Sequence, residues 1–380
     1  MTRIGLIGAR GGVGGAALRY LLATVRGQVF AAGRDPARMR TVFAGQEDRV
    51  APRKLDLFDD AELAGFCREM DVVLNCAGPS SKVLDRVVLA AAAAKRPVID
   101  AGGYDPVFRR LKEQDGPIRA AGVPVVINAG LLPGLSGLYP RWLASQESDA
   151  PEAMEVFYAG TDRWTLASAE DIVFSLGDFG AERPPTRIEG GRPVPVPFRK
   201  AFRRLDLRPP VGKVTGFLTY TEELATLGRD LGIPQIDCHG VNHGFWSGAA
   251  LSLIKLCKLY RTDAQLRRSA RWLARASERD RRWGTRPCFA IHCRLRWADG
   301  RSRTAEIVVA DTYEATGIAA GIATMMALED RILPPRVGML HQVVDPGAFL
   351  AAFRASAPIL SETVPAEAKR DAAPAGAAHA

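Results

Sequence analysis

Ile4-Gly-Leu-Ile-Gly8-Ala-Arg-Gly11-Gly-Val-Gly14 joins a short apolar run to a loop with glycines at every third position. A helical pattern follows from about Val13 to Val25, so the stretch reads as buried strand, tight turn and helix. The same alternation continues outward. Val29 to Ala32, Asp71-Val-Val-Leu-Asn75, Pro97-Val-Ile-Asp100 and Pro124-Val-Val-Ile-Asn128 are further short apolar runs separated by helical patterns. Continuous β-branched runs of this kind belong to a parallel sheet covered on both faces. The expected fold class is α/β, a doubly wound parallel sheet followed by a second, mixed domain.

The change comes after Pro133. Phe289, Ile291, Cys293, Leu295 and Trp297 alternate with Ala290, His292, Arg294 and Arg296 before Asp299-Gly300, which predicts an antiparallel hairpin with one apolar face. Asp311 or Thr312 can cap the next helix, on which Gly317 and Gly321 would allow a close neighbour. From Ser361 onward a frayed tail is expected.

With 47% hydrophobic and 24% charged residues in 380, the composition is that of a soluble globular chain of about two domains. No apolar run approaches the ~18–20 residues of a membrane span, and the start does not read as a signal peptide. Six cysteines without close spacing fit a reducing, cytoplasmic compartment. The net charge of +9 suits phosphorylated cofactors, carboxylate substrates or an acidic partner. No membrane or nucleic-acid partner is expected.

The glycine spacing is a relative of the dinucleotide fingerprint. It provides a tight turn at Gly8, backbone approach to a pyrophosphate near Gly11 and helix packing at Gly14, with Gly12 and Val13 also expected at the cofactor. The second strand ends at Gly33-Arg34, with Asp35 one step further, where it can cap a helix starting at Pro36. Space plus a guanidinium suits a 2′-phosphate, so NADPH is expected over NADH. For Arg10 two readings stay open, a second phosphate contact or a solvated loop residue. Asn75, Ala77, Gly78 and Pro79 after the next predicted strand, Gly102 after the one following, and Asn128 and Gly130 after the last should converge on one cofactor cleft.

These residues together resemble the saccharopine dehydrogenase (saccharopine reductase) family. The resemblance rests on Gly8-x-x-Gly11-x-x-Gly14, Ala32-Gly33-Arg34, Asn75-Cys-Ala-Gly78-Pro79 and Ala129-Gly130-x-x-Pro133-Gly134, and on Arg336-Val-Gly338 and Asp345-Pro-Gly-Ala-Phe-Leu350 near the end. It implies a Rossmann domain over 1–132 and a mixed α/β substrate and dimerisation domain over 133–310. A closing helix and strand over 311–360 would pack back on the first domain, leaving a tail over 361–380. It also implies homodimers and NAD(P)H-dependent reduction of a C=N bond. Where the family often has a Gly-His-Tyr-type segment, this chain has Lys95-Arg-Pro-Val-Ile-Asp100, with Tyr104 later.

Imine reduction needs a proton source near the nitrogen. Cys238-His-Gly-Val-Asn-His243 is the densest cluster of reactive residues, so His243 and His239 are candidates, with Tyr104 and Asp171 beside them. No metal site is expected. His292 reads as surface. A predicted helix from Thr262 to about Trp283 carries Arg267, Arg268, Arg271, Arg275, Arg279, Arg281 and Arg282, with Leu266, Ala270, Leu273 and Ser277 inside. That stripe reads as a solvated face, or as a docking surface for an acidic carrier protein. Three functions follow: an NADPH-dependent imine reductase, a trans-acting enoyl reductase on a carrier-bound chain, or a non-catalytic NADP-binding regulator.

Overall fold

The computed structural model describes residues 1–180, 182–364 and 369–370. The first part runs β1 (Thr2–Ile7), α1 (Gly12–Thr24), β2 (Gly27–Gly33), α2 (Pro36–Val42), β3 (Val50–Lys54), α3 (Asp60–Glu69) and β4 (Val72–Asn75). It continues α4 (Ser80–Val83), α5 (Arg86–Ala93), β5 (Val98–Asp100), α6 (Asp105–Glu113), α7 (Asp115–Ala120), β6 (Val125–Ile127) and α8 (Leu135–Ala144). Next come β7 (Ala153–Thr161), α9 (Leu166–Ser175), β8 (Thr186–Glu189), β9 (Arg192–Pro195), β10 (Phe202–Asp206), β11 (Lys213–Thr219) and α10 (Glu222–Leu231). Then follow β12 (Gln235–Asn242), α11 (Phe245–Leu256), α12 (Asp263–Arg282), β13 (Cys288–Arg296), β14 (Arg301–Val309) and α13 (Thr312–Leu328). The chain closes with β15 (Val337–Met339), α14 (Leu340–Val343), α15 (Pro346–Ser356), β16 (Ile359–Thr363) and β17 (Lys369–Arg370).

The first sheet has the order β15-β6-β5-β4-β1-β2-β3, with every pairing parallel. Its central residues, Ile4, Leu6 and Val72 to Leu74, are fully buried, as two covered faces require. The strand order reverses at β1, which lies between β4 and β2, so a crevice opens at the carboxyl ends there. β15 arrives from far along the chain and pairs with β6 from Val337↔Val125 to Met339↔Ile127. The α13 glycines do allow close packing on α1. A β-carbon on Gly317 would stand 2.5 Å from Ala16 Cβ, and one on Gly321 2.5 Å from the Tyr20 ring. Asp311 caps α13, accepting from the Glu314 amide at 2.8 Å.

The second sheet runs β10-β11-β12-β7-β13-β14-β16, with β8 and β17 pairing at its sides. The β13–β14 hairpin forms in the expected register, Phe289↔Val309 to Arg296↔Ser302. Its edges are not exposed. β13 pairs along its length with β7, and β14 is covered by β16 and β17. This removes the unpaired ladder as a reason to expect a dimer through the hairpin. Nor is the hairpin's second face solvated: Cys288, Ala290 and Val308 pack with Leu207, Val211 and Val214. His292 is therefore not a surface residue, because it sits largely covered with Nδ1 3.0 Å from Glu306. Ser361 to Thr363 belong to β16 rather than to a frayed tail, and Lys369 and Arg370 pair with β14. The remainder of the expected tail, 365–368 and 371–380, lies outside the described residues. Among the described residues no helix is long and apolar enough to cross a membrane.

Candidate active site at the crevice between the sheets

The loop after β1 is a bare cradle. Gly8 has φ +82, and a β-carbon on it would meet the Cys76 carbonyl carbon at 2.7 Å. A β-carbon on Gly14 would lie 2.2 Å from the Gly8 carbonyl oxygen, so helix and loop touch backbone to backbone. Arg10, Gly11 and Gly12 are exposed at the start of α1, where the first amides lack helical acceptors. An anion is the natural occupant. Tyr313 packs on this loop, 3.0 Å from where a Gly12 β-carbon would stand. At the end of β2, Gly33 is half-buried with Met39 3.7 Å from where its β-carbon would stand and Arg34 is exposed, while Asp35 caps α2 through the Arg38 amide at 3.0 Å. The cradle and the cation beyond it fit NADP.

The other strand ends divide into groups that face the crevice and groups that build it. Gly78 is exposed, with Ala77 and Pro79 half-buried beside it. Asn75 is instead consumed by the scaffold. It donates to Asp100 Oδ2 at 2.9 Å and accepts from the Ala77 amide at 3.1 Å, so its side chain is not free for a ribose. Asp100 also accepts from the Gly102 amide at 2.8 Å, and burial pushes its carboxyl up to about 6. Gly130 is buried, and a β-carbon there would meet the Ala101 carbonyl at 2.8 Å, so it serves packing. Asn128 is buried at φ 55 with Oδ1 unpartnered among the described residues.

Strand parity separates the histidines from this crevice. Tyr158 on β7 donates its hydroxyl to the Ser136 carbonyl on α8 at 2.9 Å, so its face of the sheet looks toward α8. Its neighbour Phe157 faces the opposite way, stacks on His239 at 4.6 Å and meets His292 edge-on. His239 is thus a buried residue on the far face, and burial lowers its pKa. His243 lies beyond β12 with Nε2 3.6 Å from Cys288 Sγ, and burial lowers its pKa too. Neither histidine is brought to the crevice. Asp171 does reach it, but as a clasp: its oxygens accept from the Ser80 and Ser81 amides at 2.8 and 3.0 Å.

Tyr104 is brought to the crevice in company that the sequence did not reveal. Its ring packs on Phe179 at 5.5 Å, and burial pushes its phenol up. The adjacent Asp105 is buried. Its Oδ1 accepts from the Glu222 amide at 3.2 Å, and Oδ2 has no partner among the described residues. Burial pushes that carboxyl up to about 7, with Glu222 and Asp178 adding to the rise and Arg109 opposing it. Arg183 pairs with Asp178 and lies 4.3 Å over the Tyr220 ring. The segment carrying them is backbone-strained, with Asp178, Phe179 and Glu182 at φ 49, 54 and 27. Glu223, one residue beyond Glu222, reaches the start of α8 and accepts from the Gly134 amide at 2.7 Å and from Ser136. Burial pushes it up to about 8. Two phenols, two guanidiniums and a carboxyl that burial pushes up to about 7 are thus brought together around Asp105. Tyr104-Asp105 directly after a strand end was the available sequence signal. Asp178 and Arg183 lie in irregular chain, where no periodicity marks them.

Residues 4–120 match the family model described as the saccharopine dehydrogenase NADP binding domain. Among solved structures, apo saccharopine dehydrogenase (L-Glu forming) from Saccharomyces cerevisiae superposes with a TM-score of 0.65 at 15% identity, covering 96% of this chain and 100% of that one. A probable dehydrogenase from Thermotoga maritima gives a TM-score of 0.48 at 10% identity, over 92% of this chain and 93% of that one. No curated protein matches the sequence. Residues 4–120 thus match a saccharopine dehydrogenase NADP-binding domain, and the chain as a whole shares its fold with the yeast saccharopine dehydrogenase.

Proposed function

We propose that this protein is an NADPH-dependent reductase of a C=N bond, an imine of the opine-like or heterocyclic kind, borne by a small carboxylate-containing molecule. The observation that carries the proposal is Asp105, a buried acid with one unpartnered oxygen beside Tyr104, Tyr220, Arg183 and Arg109. NADPH supplies the hydride when bound. The chain must then hold the substrate and provide a proton at the nitrogen. A carboxyl pushed up to about 7 is partly protonated at neutral pH, which suits that proton transfer. Arg183, already among carboxylates and a phenol, offers a planar fork for a substrate carboxylate.

The test is a panel of cyclic imines, 2-oxo acid plus amine pairs and enoyl thioesters, followed at the NADPH absorbance. Turnover confined to C=N substrates is expected. Asp105→Asn should then lower kcat by about 10²–10⁴-fold with little change in NADPH affinity. Full activity in Asp105→Asn would remove it as the proton source, and turnover of enoyl thioesters alone would overturn the C=N reading. The second reading, an enoyl reductase acting on a carried chain, is favoured by the arginine-lined groove beside the crevice. NADPH binding with no turnover across the panel would return the protein to a regulatory role.

A further inference from the structure

Between the start of α9 and the outer side of α12 lies a groove of about 740 Å³, within the range of small-molecule sites. Five arginines line it, Arg163, Arg271, Arg275, Arg279 and Arg282, against one carboxylate, Glu278. Glu278 is already held by Arg281 at 2.8 Å, Arg282 at 3.3 Å and Arg163 at 3.4 Å. Arg271 and Arg275 have no carboxylate within ion-pair distance among the described residues. A solvated helix face would normally intersperse acids at i,i+4. Here the nearby Asp280 is turned inward instead, accepting from the Trp246 and Ser247 amides at 2.7 and 2.8 Å. Arg279 lies 3.7 Å over the Trp246 ring, so the uncompensated positive charge of the groove rests with Arg271 and Arg275.

Two indoles complete the lining, Trp164 and the 71%-exposed Trp283. Guanidiniums that grip phosphate oxygens, next to apolar ring faces that stack on a planar base, form the recognition chemistry of a nucleotide. The groove adjoins the cofactor crevice. Leu166 lines it, and the next residue, Ala167, stands 3.8 Å from where a Gly78 β-carbon would be. Arg163 accepts through its carbonyl from the Tyr313 hydroxyl at 3.1 Å, and Tyr313 is the ring packed on Gly12. We propose that this groove binds the adenosine-phosphate handle of a thioester substrate of the coenzyme A class, from which the reactive chain enters the crevice beside Gly78. The site deepens the second reading, a reductase acting on a carried chain, and rests on it only for where the chain leads.

The test titrates adenosine 3′,5′-bisphosphate into the full chain already saturated with NADPH, by calorimetry, at two salt concentrations. Binding that persists under NADPH, weakens with salt, and falls at least tenfold in Arg271→Glu and in Arg275→Glu is expected. NADPH affinity of the same variants should stay unchanged, which verifies folding and keeps the cofactor reading separate. Displacement of the bisphosphate by NADPH, or equal binding in wild type and both variants, would overturn the proposal. Binding of an acidic carrier protein with none of the bisphosphate would do so as well. If NADPH itself fails to bind while the bisphosphate binds in the groove, the reductase reading fails and the nucleotide site stands.

Discussion

At the scale of single residues, position relative to the backbone decides what each side chain can do. Arg34 is exposed at the end of β2, with no side chain on Gly33 beside it, so it can meet a 2′-phosphate. A charge-assisted bond of this kind contributes roughly 1.5–3 kcal/mol. Arg34→Ala should therefore raise the KM for NADPH by about ten- to a hundredfold and leave NADH nearly unchanged. Steady-state kinetics with both cofactors checks this, and an equal loss for the two would remove Arg34 as selector. The loop glycines differ from one another. A β-carbon on Gly11 stands 3.3 Å from the Gly8 carbonyl oxygen, whereas one on Gly14 stands at 2.2 Å. Gly11→Val should fold and lose NADPH binding, because its side chain occupies the phosphate's place. Gly14→Asp, which the sequence alone would treat as equivalent, should lose the loop and much of the stability too. Circular dichroism melts beside NADPH fluorescence titrations separate the outcomes, and undiminished affinity in folded Gly11→Val would refute the cradle.

At the scale of elements, the contact of α1 with α13 shows how the chain's end returns to its beginning. Gly317 lies against Ala16 and the Val13 carbonyl with no room for a side chain. Gly317→Ala should gain helix propensity, yet destabilise by about 1–3 kcal/mol through overpacking. In a chain of this size that is a drop of a few degrees in Tm. Because α1 starts at the phosphate loop, NADPH affinity should fall with it. A variant as stable as wild type would mean the helices move apart at little cost. The β13–β14 hairpin teaches the converse. Its alternation and its Asp299-Gly300 turn were legible, but what covers β14 comes from residues 359–363, too far along the chain for a local pattern to announce.

At the scale of the whole molecule, buried carboxylates clasp the two sheets together. Asp171 holds the Ser80 and Ser81 amides, Glu223 holds Gly134 and Ser136, and Asp105 holds the Glu222 amide. Burial raises all three pKa values, to about 8 for Glu223 and about 7 for Asp105. An acid whose folded pKa lies above its unfolded value keeps its proton longer when folded. Its contribution is complete below the unfolded value of about 4.5 and is lost as pH rises through the folded one. The buried histidines act oppositely but have titrated by about pH 6.5. Stability should therefore fall between pH 7 and 8, and Glu223→Gln, which keeps the shape of the neutral acid, should flatten that slope. Thermal melts across this range check it, and parallel slopes in wild type and variant would show that Glu223 is not the group responsible. The parallel sheet, the phosphate loop, the Gly33-Arg34 strand end and the arginine helix were all determined by the sequence itself, because each rests on spacing within one turn, strand or helix. The crevice was decided by the tertiary structure. Strand pairing turned His239 to the far face, interdomain amides took up Asp171, and Asp105, Arg183 and Tyr220 met only once distant segments had packed. Such convergence depends on long-range contacts and burial, which leave no periodic trace in the residues that make them.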